Sequence, residues 1–250
     1  MNGFHYHSRT EVSTQDLAKA LPPLNNEACM EVIYTFCQRQ GRGQRENAWF
    51  GGENENIAAS FVLEPRFLKA EHLFFLNMAL SLGVLRYARA QGGGFSLKWP
   101  NDLYFRNGKV AGLLLEASVE SERVERVCFG VGLNVNQAEF PPEIPRAVSF
   151  FQIDGKLRDL PAEVEKLAES MQSCYAEFRQ TYGQGRLQEW RNEYLAGMLF
   201  KDLWRDFIYR GARVKACIRN VEEDGRLVLE QCGGSWLRAD IKELEYCFDE

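Results

Sequence analysis

The sequence predicts an α+β protein, a mixed or antiparallel sheet packed with helices, followed by a small, barrel-like all-β unit at the C-terminus. Three observations carry this expectation. Phe67 to Tyr87 is long, apolar on most sides and free of proline, as a helix buried against a sheet should be. Three short apolar runs follow, around Phe95 to Trp99, Val110 to Leu115 and Val127 to Val135, with the lengths and turn-forming flanks of strands. After about Phe200 the pattern changes to alternation: Val214, Ala216 and Ile218, a turn at Asp224-Gly225, Leu227 and Leu229, then Gly233-Gly234 and Trp236. The expected division is 1–200 and 201–250, and with no repeat and no low-complexity linker the two parts should pack directly together.

Taken in order, Phe4 and Tyr6 alternate with polar neighbours as a first strand. Ser13-Thr14-Gln15-Asp16 offers capping hydroxyls for a helix through Leu17, Ala20 and Leu21, which Pro22-Pro23 ends. Val32, Tyr34 and Phe36 alternate towards Gln38 as a second strand. Gly41-Arg42-Gly43 through Gly51-Gly52 is a polar, glycine-punctuated loop, of a kind often mobile until a ligand arrives. Gly92-Gly93-Gly94 breaks the long helix, and Glu116 to Arg126 reads as a solvated hairpin or loop. From Val164, the series Leu167, Met171, Cys174 and Phe178 steps by four and three, with Pro161 in the first turn of that helix.

Composition narrows the function classes. The 250 residues are 45% hydrophobic and 26% charged, enough for one sizeable domain plus a small one. A net charge of -5 disfavours a surface built for nucleic-acid phosphates. The seven cysteines are odd in number and never spaced Cys-x-x-Cys, which points to free thiols in a reducing compartment. Residues 1 to 20 lack a signal pattern and no apolar run would cross a bilayer, so a cytoplasmic protein without membrane partners is expected. His5 and His7 share a strand face without a third metal ligand, and His72 lies among apolar neighbours, so all three are read as structural. Trp190 and Trp204 are read as core or domain-contact residues.

The densest polar chemistry is Lys98-Trp99-Pro100-Asn101-Asp102, followed by Leu103-Tyr104 and Lys109-Val110-Ala111-Gly112. Proline restricts Trp99 to an extended backbone and fixes the chain at a strand end, so the lysine, amide and carboxylate project in defined directions. Alone, such a pentapeptide would be a surface turn. It is accompanied by Gln38-Arg39-Gln40-Gly41-Arg42-Gly43 with Trp49, Asn56 and Ser60 in register, by Ser13-Thr14-Gln15, and by Gly130-Val131-Gly132-Leu133-Asn134-Val135-Asn136.

In that order, these segments resemble the biotin protein ligases over nearly the whole chain. The resemblance implies the biotin/lipoate ligase catalytic fold with a small C-terminal SH3-like β-barrel. It implies ATP-dependent activation of biotin as biotinyl-5'-AMP and transfer to a lysine of a biotin carboxyl carrier protein of the acetyl-CoA carboxylase type. A carboxylate must attack the α-phosphate, so fixed cations and Mg²⁺ must offset the repulsion of two anions. Lys109 and Arg42 are the expected cations, Asp102 the group that orients or deprotonates the carrier amine, and Lys98 completes the catalytic set. Biotin contacts are expected from Ser13, Thr14, Gln15, Gln38, Arg42, Gly43, Gln44, Lys109 and Gly112, and ATP contacts from Arg42, Arg45, Trp49, Asn101, Lys109 and Asn134. No metal ligands are assigned.

The chain departs from the family pattern at three places. Gln15 stands where the family commonly has asparagine, Gln44 where it often has arginine and Glu46 where it often has glycine, so the adenylate should be held less tightly unless Arg45 compensates. Some family members carry an N-terminal DNA-binding domain; here the core begins within the first few residues, so a stand-alone form, monomer or homodimer, without a DNA partner is expected. The rivals are a lipoate or octanoyl transferase of the same superfamily and a non-catalytic biotin-binding protein. Cys37, beside the expected pocket, has no activating base in the sequence.

Overall fold

The computed structural model describes residues 3–43 and 48–248. It opens with β1 (Phe4–Tyr6), α1 (Thr14–Lys19) and β2 (Glu31–Thr35), then β3 (Gly41–Arg42) and β4 (Ala48–Trp49). β5 (Ile57–Leu63), α2 (Leu73–Gln91), β6 (Phe95–Lys98), β7 (Asp102–Phe105), β8 (Gly108–Glu120) and β9 (Arg123–Leu133) complete the first sheet. α3 (Phe150–Asp154), α4 (Leu160–Gly183) and α5 (Leu187–Ala196) precede five further strands, β10 (Trp204–Tyr209), β11 (Ala212–Val221), β12 (Leu227–Gln231), β13 (Trp236–Ala239) and β14 (Leu244–Tyr246).

The first sheet has the order β1-β2-β5-β9-β8-β7-β6, with β1 parallel to β2 and its other described pairings antiparallel. All seven residues of β5 are buried, because both of its faces are covered. On one face, Ala59, Phe61 and Leu63 join the main core under α2 and α4. On the other, Val62 meets Ile33 and Cys128 beneath Ala18 of α1 and Leu24. β2 is likewise filled on both sides, where alternation of Val32, Tyr34 and Phe36 alone would have exposed one side.

Most expected elements are present, with boundaries moved by tertiary contacts. α1 is capped by the Ser13 hydroxyl, which accepts from the Gln15 N–H at 3.2 Å, and ends at Lys19 before the prolines are reached. The long helix starts at Leu73 rather than Phe67, since residues 68–70 are pinned to the β8–β9 turn: the Val124 N–H donates to the Leu68 carbonyl and the Ala70 N–H to that of Glu122. Residues 116–126 are the far end of the β8–β9 hairpin. The loop expected to be mobile contains the short β3–β4 pairing. β5, β7, β10, β14, α3 and α5 were not foreseen. α3 does carry a complete capping box, Ser149 with Gln152, whereas α5 buries only Trp190 and Tyr194, too sparse a stripe to read.

The second sheet is antiparallel in the order β13-β12-β11-β10-β14, and among the described strands β13 and β14 remain its edges rather than closing a barrel. Its inner residues Phe207, Ala216, Ile218 and Leu229 continue the main core, so the two sheets share one apolar interior. Trp190 is buried and donates to Thr181 Oγ1 at 2.7 Å. Trp204 corrects its expectation: it is 42% exposed, three residues before the buried Phe207 and therefore on the opposite face of β10.

His5 pairs with Glu31 at 2.9 Å and His72 with the Tyr182 hydroxyl at 3.1 Å. Among the described residues no cysteine is joined in a disulfide, no grouping of three or more His, Cys, Asp or Glu could hold a metal, and no helix is long and apolar enough to cross a membrane. α2 and α4 are joined by a polar contact inside the core. Tyr87 donates to the buried Glu163 carboxylate at 2.5 Å, Gln91 at 2.9 Å, and Lys166 pairs with its other oxygen at 2.7 Å. Burial, then Glu163 itself, raises the Tyr87 hydroxyl far above the ordinary tyrosine range, so it stays a donor. Removing that donor leaves a buried charge short of a partner. Tyr87→Phe should therefore lower the unfolding free energy by about 1–2 kcal/mol in urea titration, with little change in m.

Candidate functional site

The register of the first sheet makes the site. Ala58, Gly132 and Gly112 form one row across β5, β9 and β8, and Ser60, Gly130 and Leu114 form the next. Both rows lie on the α1 side of the sheet; α1 packs on the row beyond them, which contains Val62 and Cys128, and its first residues, Thr14 and Gln15, reach over the Ser60–Gly130–Leu114 row. The small residues of these rows leave a cavity of ≈ 250 Å³ beside the start of α1. Ser13, Thr14 and Gln15 close one end, the Lys98–Asp102 turn the other, and Ile241 and Leu244 of the C-terminal unit reach its wall.

A chain of hydrogen bonds crosses the α1 end. Gln15 is buried, and its side-chain amide donates to the backbone carbonyls of Leu114 at 3.2 Å and Cys128 at 2.8 Å. Its Oε1 accepts from Ser60 Oγ at 2.9 Å, and Thr14 Oγ1 lies 2.9 Å from Ser60 Oγ. Since a carbonyl oxygen can only accept, the Ser60 proton is committed to Gln15, Thr14 must donate to Ser60, and the Thr14 lone pairs are left for the cavity. The Thr14 N–H is held by Gln38 Oε1 at 2.8 Å, which turns the Gln38 amide towards the same cavity. Gln15 is thus an internal brace between α1, β8 and β9; its donors are spent on backbone.

At the other end Asp102 sits between two ammonium groups, Lys109 at 2.7 Å and Lys98 at 3.5 Å. Lys98 and Asp102 are cross-strand partners on β6 and β7. The turn between them is locked from outside the sheet: Trp99 Nε1 donates to the Gly225 carbonyl at 2.9 Å and the Tyr194 hydroxyl to the Pro100 carbonyl at 3.0 Å. The Asn101 side-chain amide donates to the Leu113 carbonyl, and the Asn101 backbone carbonyl accepts from the Leu113 N–H at 2.8 Å. Asn101 thus ties the turn to β8.

Arg42 lines the same cavity as Lys109, with its charge paired to acids. Its guanidinium is held by Asp16 at 2.5 Å and Glu116 at 2.9 Å, with Lys19 on the same Glu116 oxygen at 3.0 Å. The bond to Asp16, reinforced by Glu116, raises Arg42 above the ordinary arginine value. Gly43 lines the cavity; Gln44, Arg45 and Glu46 lie outside the described residues. Burial, then Glu53, raises the Cys37 thiol, the opposite of what a nucleophilic thiolate needs.

Trp49 lies over the glycine row. A Cβ at Gly112 would meet its ring at 2.9 Å, and one at Gly132 would collide with it outright. Lys109 Nζ is 5.7 Å from the ring centroid. Beyond Trp49 and Lys109 a second cavity of ≈ 340 Å³ opens, walled by Tyr104, Phe50 and residues 143–147. Asn134 lines it: the side chain is buried, its amide donates to the carbonyls of Lys109 and Val148 at 3.3 Å each, and its Oδ1 has no partner. Leaving such an acceptor unpaired costs about 1–3 kcal/mol, which a ligand donor would offset.

The sequence had brought forward most polar groups of the first cavity and Lys109 and Asn134 of the second, but not Glu143 or Arg146. It did not disclose the captors of Arg42, Asp16 and Glu116, which are distant in sequence, nor Ala58, Ile241 and Leu244. Gly130 and Gly132 had a readable signal, glycines alternating with valines along a strand.

The profile of the Biotin/lipoate A/B protein ligase family matches residues 9–134. The bifunctional ligase/repressor BirA of Bacillus spizizenii is 29% identical over 170 residues, 66% of this chain and 52% of that protein. The biotin--[acetyl-CoA-carboxylase] ligase of Mycobacterium tuberculosis is 28% identical over 218 residues, 81% of this chain and 74% of that one. The chain spans about half the length of several such curated relatives, 52%, 54% and 52% for three of them. Among solved structures, biotin protein ligase from Aquifex aeolicus in complex with biotin and ATP superposes with a TM-score of 0.78 at 24% identity, covering 97% of each chain.

The glycine row can be tested directly. Gly132→Ala has no backbone reason to fail, but its methyl must expel Trp49. If the cavity takes biotin, as proposed below, the affinity read by equilibrium binding should fall about tenfold while the thermal midpoint moves little.

Proposed function

We propose, starting from the fact that the chain belongs to the biotin/lipoate A/B protein ligase family, that it activates biotin with ATP and transfers the biotinyl group to a carrier lysine. The carrier in this reading is a biotin carboxyl carrier protein of the acetyl-CoA carboxylase type, in keeping with the names of the relatives. The observation that supports it best is the meeting of two cavities at Lys109 and Trp49. One offers a small floor with a few oriented polar groups, the other an unpaired buried acceptor beside a lysine.

In this reading the first cavity takes biotin. Its ureido group carries two N–H donors and a carbonyl, and the α1 end offers the matching set: Thr14 as acceptor, by the proton order that Gln15 imposes, and the Gln38 amide as donor. Lipoate has no such group, which favours biotin over a lipoyl or octanoyl substrate. ATP takes the second cavity, where Asn134 Oδ1 would accept from the exocyclic amine of the base.

A biotin carboxylate oxygen then attacks the α-phosphorus, the bond from that phosphorus to the bridging oxygen of pyrophosphate breaks, and biotinyl-5'-AMP forms. Lys109 is placed to stabilise the charge that develops, exchanging Asp102 for the phosphate. That exchange leaves Asp102 with an unpaired oxygen to orient and deprotonate the carrier amine, which attacks the acyl carbon and displaces AMP. Lys98 then remains as the partner that holds Asp102 in place. Mg²⁺, when bound, would screen the phosphates; among the described residues Asp102 is the carboxylate lining this end of the cavity, consistent with a cation held mainly by the nucleotide. Residues 1–200 carry this chemistry and 201–250 the accessory unit.

The purified chain should show biotin-dependent exchange of pyrophosphate into ATP, reduced on the order of 10²- to 10³-fold in Lys109→Ala. Exchange with lipoate and none with biotin would overturn the substrate assignment. Mass spectrometry of a carrier domain after incubation with biotin and MgATP should show a single biotinyl adduct, and its absence would leave a binding protein only. Ser60→Ala breaks the proton order at Thr14 and should raise KM for biotin about tenfold with kcat little changed.

A further inference from the structure

The nucleotide cavity contains a cation that the mechanism above does not use. Arg42 is neutralised by Asp16 and Glu116, and Lys98 and Lys109 share Asp102. Arg146 lines the same cavity as Lys109 and Asn134, and no described carboxylate forms an ion pair with it; Glu143, on the same wall, does not. Its backbone is tied to the central lysine: the Lys109 N–H donates to the Arg146 carbonyl at 2.6 Å and the Val148 N–H to the Lys109 carbonyl at 2.9 Å.

Its guanidinium is carried on an aromatic plane, 4.7 Å over the ring of Phe248. Phe248 is itself stacked on Tyr104, at 5.5 Å between centroids and 5° between planes. Tyr104 lies on β7, two residues after Asp102. The three groups form a stack, Tyr104, Phe248, Arg146, that begins on the strand of Asp102 and ends on a fork of N–H donors at the mouth of the nucleotide cavity. A planar guanidinium fixed on a ring loses less freedom on binding than a free one, and its fork matches phosphate oxygens.

We infer that Arg146, held on the Phe248 platform of the C-terminal segment, binds the β- or γ-phosphate of ATP, the part that leaves as pyrophosphate. This rests on the placement of ATP in the second cavity argued above. Arg146 is a binding residue and Phe248 a positioning residue. Through them the C-terminal segment contributes to the affinity for nucleotide, without contributing to that for biotin.

The test is the separate KM values for ATP and biotin in pyrophosphate exchange, for the full chain and for Arg146→Ala, Arg146→Lys and Phe248→Ala. Arg146→Ala should raise KM for ATP about tenfold, the discounted value of a solvent-facing charged hydrogen bond, and leave KM for biotin within about twofold. Arg146→Lys should restore part of the loss, and Phe248→Ala should give a smaller rise of the same selectivity. The Arg146→Ala defect should also shrink as salt is raised.

An ATP KM within twofold of the parent in Arg146→Ala, or an equal rise for both substrates, would overturn the inference. If the parent shows no exchange at all, the ligase reading fails independently, and calorimetric titration with MgATP and with pyrophosphate decides the site: loss of binding in Arg146→Ala supports it, whereas unchanged binding, or none in the parent, refutes it.

Discussion

Everything in this site depends on which side of the sheet its glycines face. Gly130 and Gly132 alternate with Phe129, Val131 and Leu133 along β9, so the large side chains fill the core under α2 while the glycines leave room on the α1 side. A slip of one residue would exchange the two sets, filling the cavity with valine and putting holes in the core. The register is held from both neighbours: β9 pairs along its length with β5 and with β8. Trp49 and Gln15 can reach the sheet at Gly112, Gly132 and Gly130 because no Cβ stands there.

The charges of the site are arranged as a set of exchangeable partners. Asp102 is nearly enclosed, with 15% of its side chain exposed, and needs a cation at all times; it has Lys109 closely and Lys98 at longer range. If Lys109 turns to a phosphate, as proposed above, Asp102 keeps Lys98 as its partner. Arg42 is balanced in the same way by Asp16 and Glu116. Cations shared with acids in this way are held in place, and in the function proposed above an anionic ligand competes for cations already positioned.

The C-terminal sheet is part of this machinery by contact. Trp99 donates to the Gly225 carbonyl in the β11–β12 turn, and Ile241 and Leu244 reach the cavity wall. Gly225 has φ +90 and lies against the ring of Phe74 on α2, so the turn that receives Trp99 is itself fixed to the first domain. The shared core makes the two units one packed body around the Lys98–Asp102 turn.

What the amino-acid sequence determined by itself was local and repetitive: periods of two and of 3.6, capping at Ser13, breaks at glycine, and the density of polar groups from Lys98 to Asp102. These suffice for most strands of the first sheet other than β5 and β7, for the helices α1, α2 and α4, for the alternating C-terminal strands and for most polar groups of the first cavity, but not for Glu143 and Arg146 of the second. The tertiary structure alone decided where α2 begins, because the β8–β9 turn holds residues 68–70, and that Trp204 faces solvent. It alone decided that Arg42 is captured by acids 26 and 74 positions away, that Gln15 spends its donors on backbone, and that Phe248 arrives beneath Arg146. The physical reason is common to all of these. Each is a contact between chain segments far apart in sequence, formed by directional charges, amides and rings whose partners no period can specify, and they meet only after the core has closed.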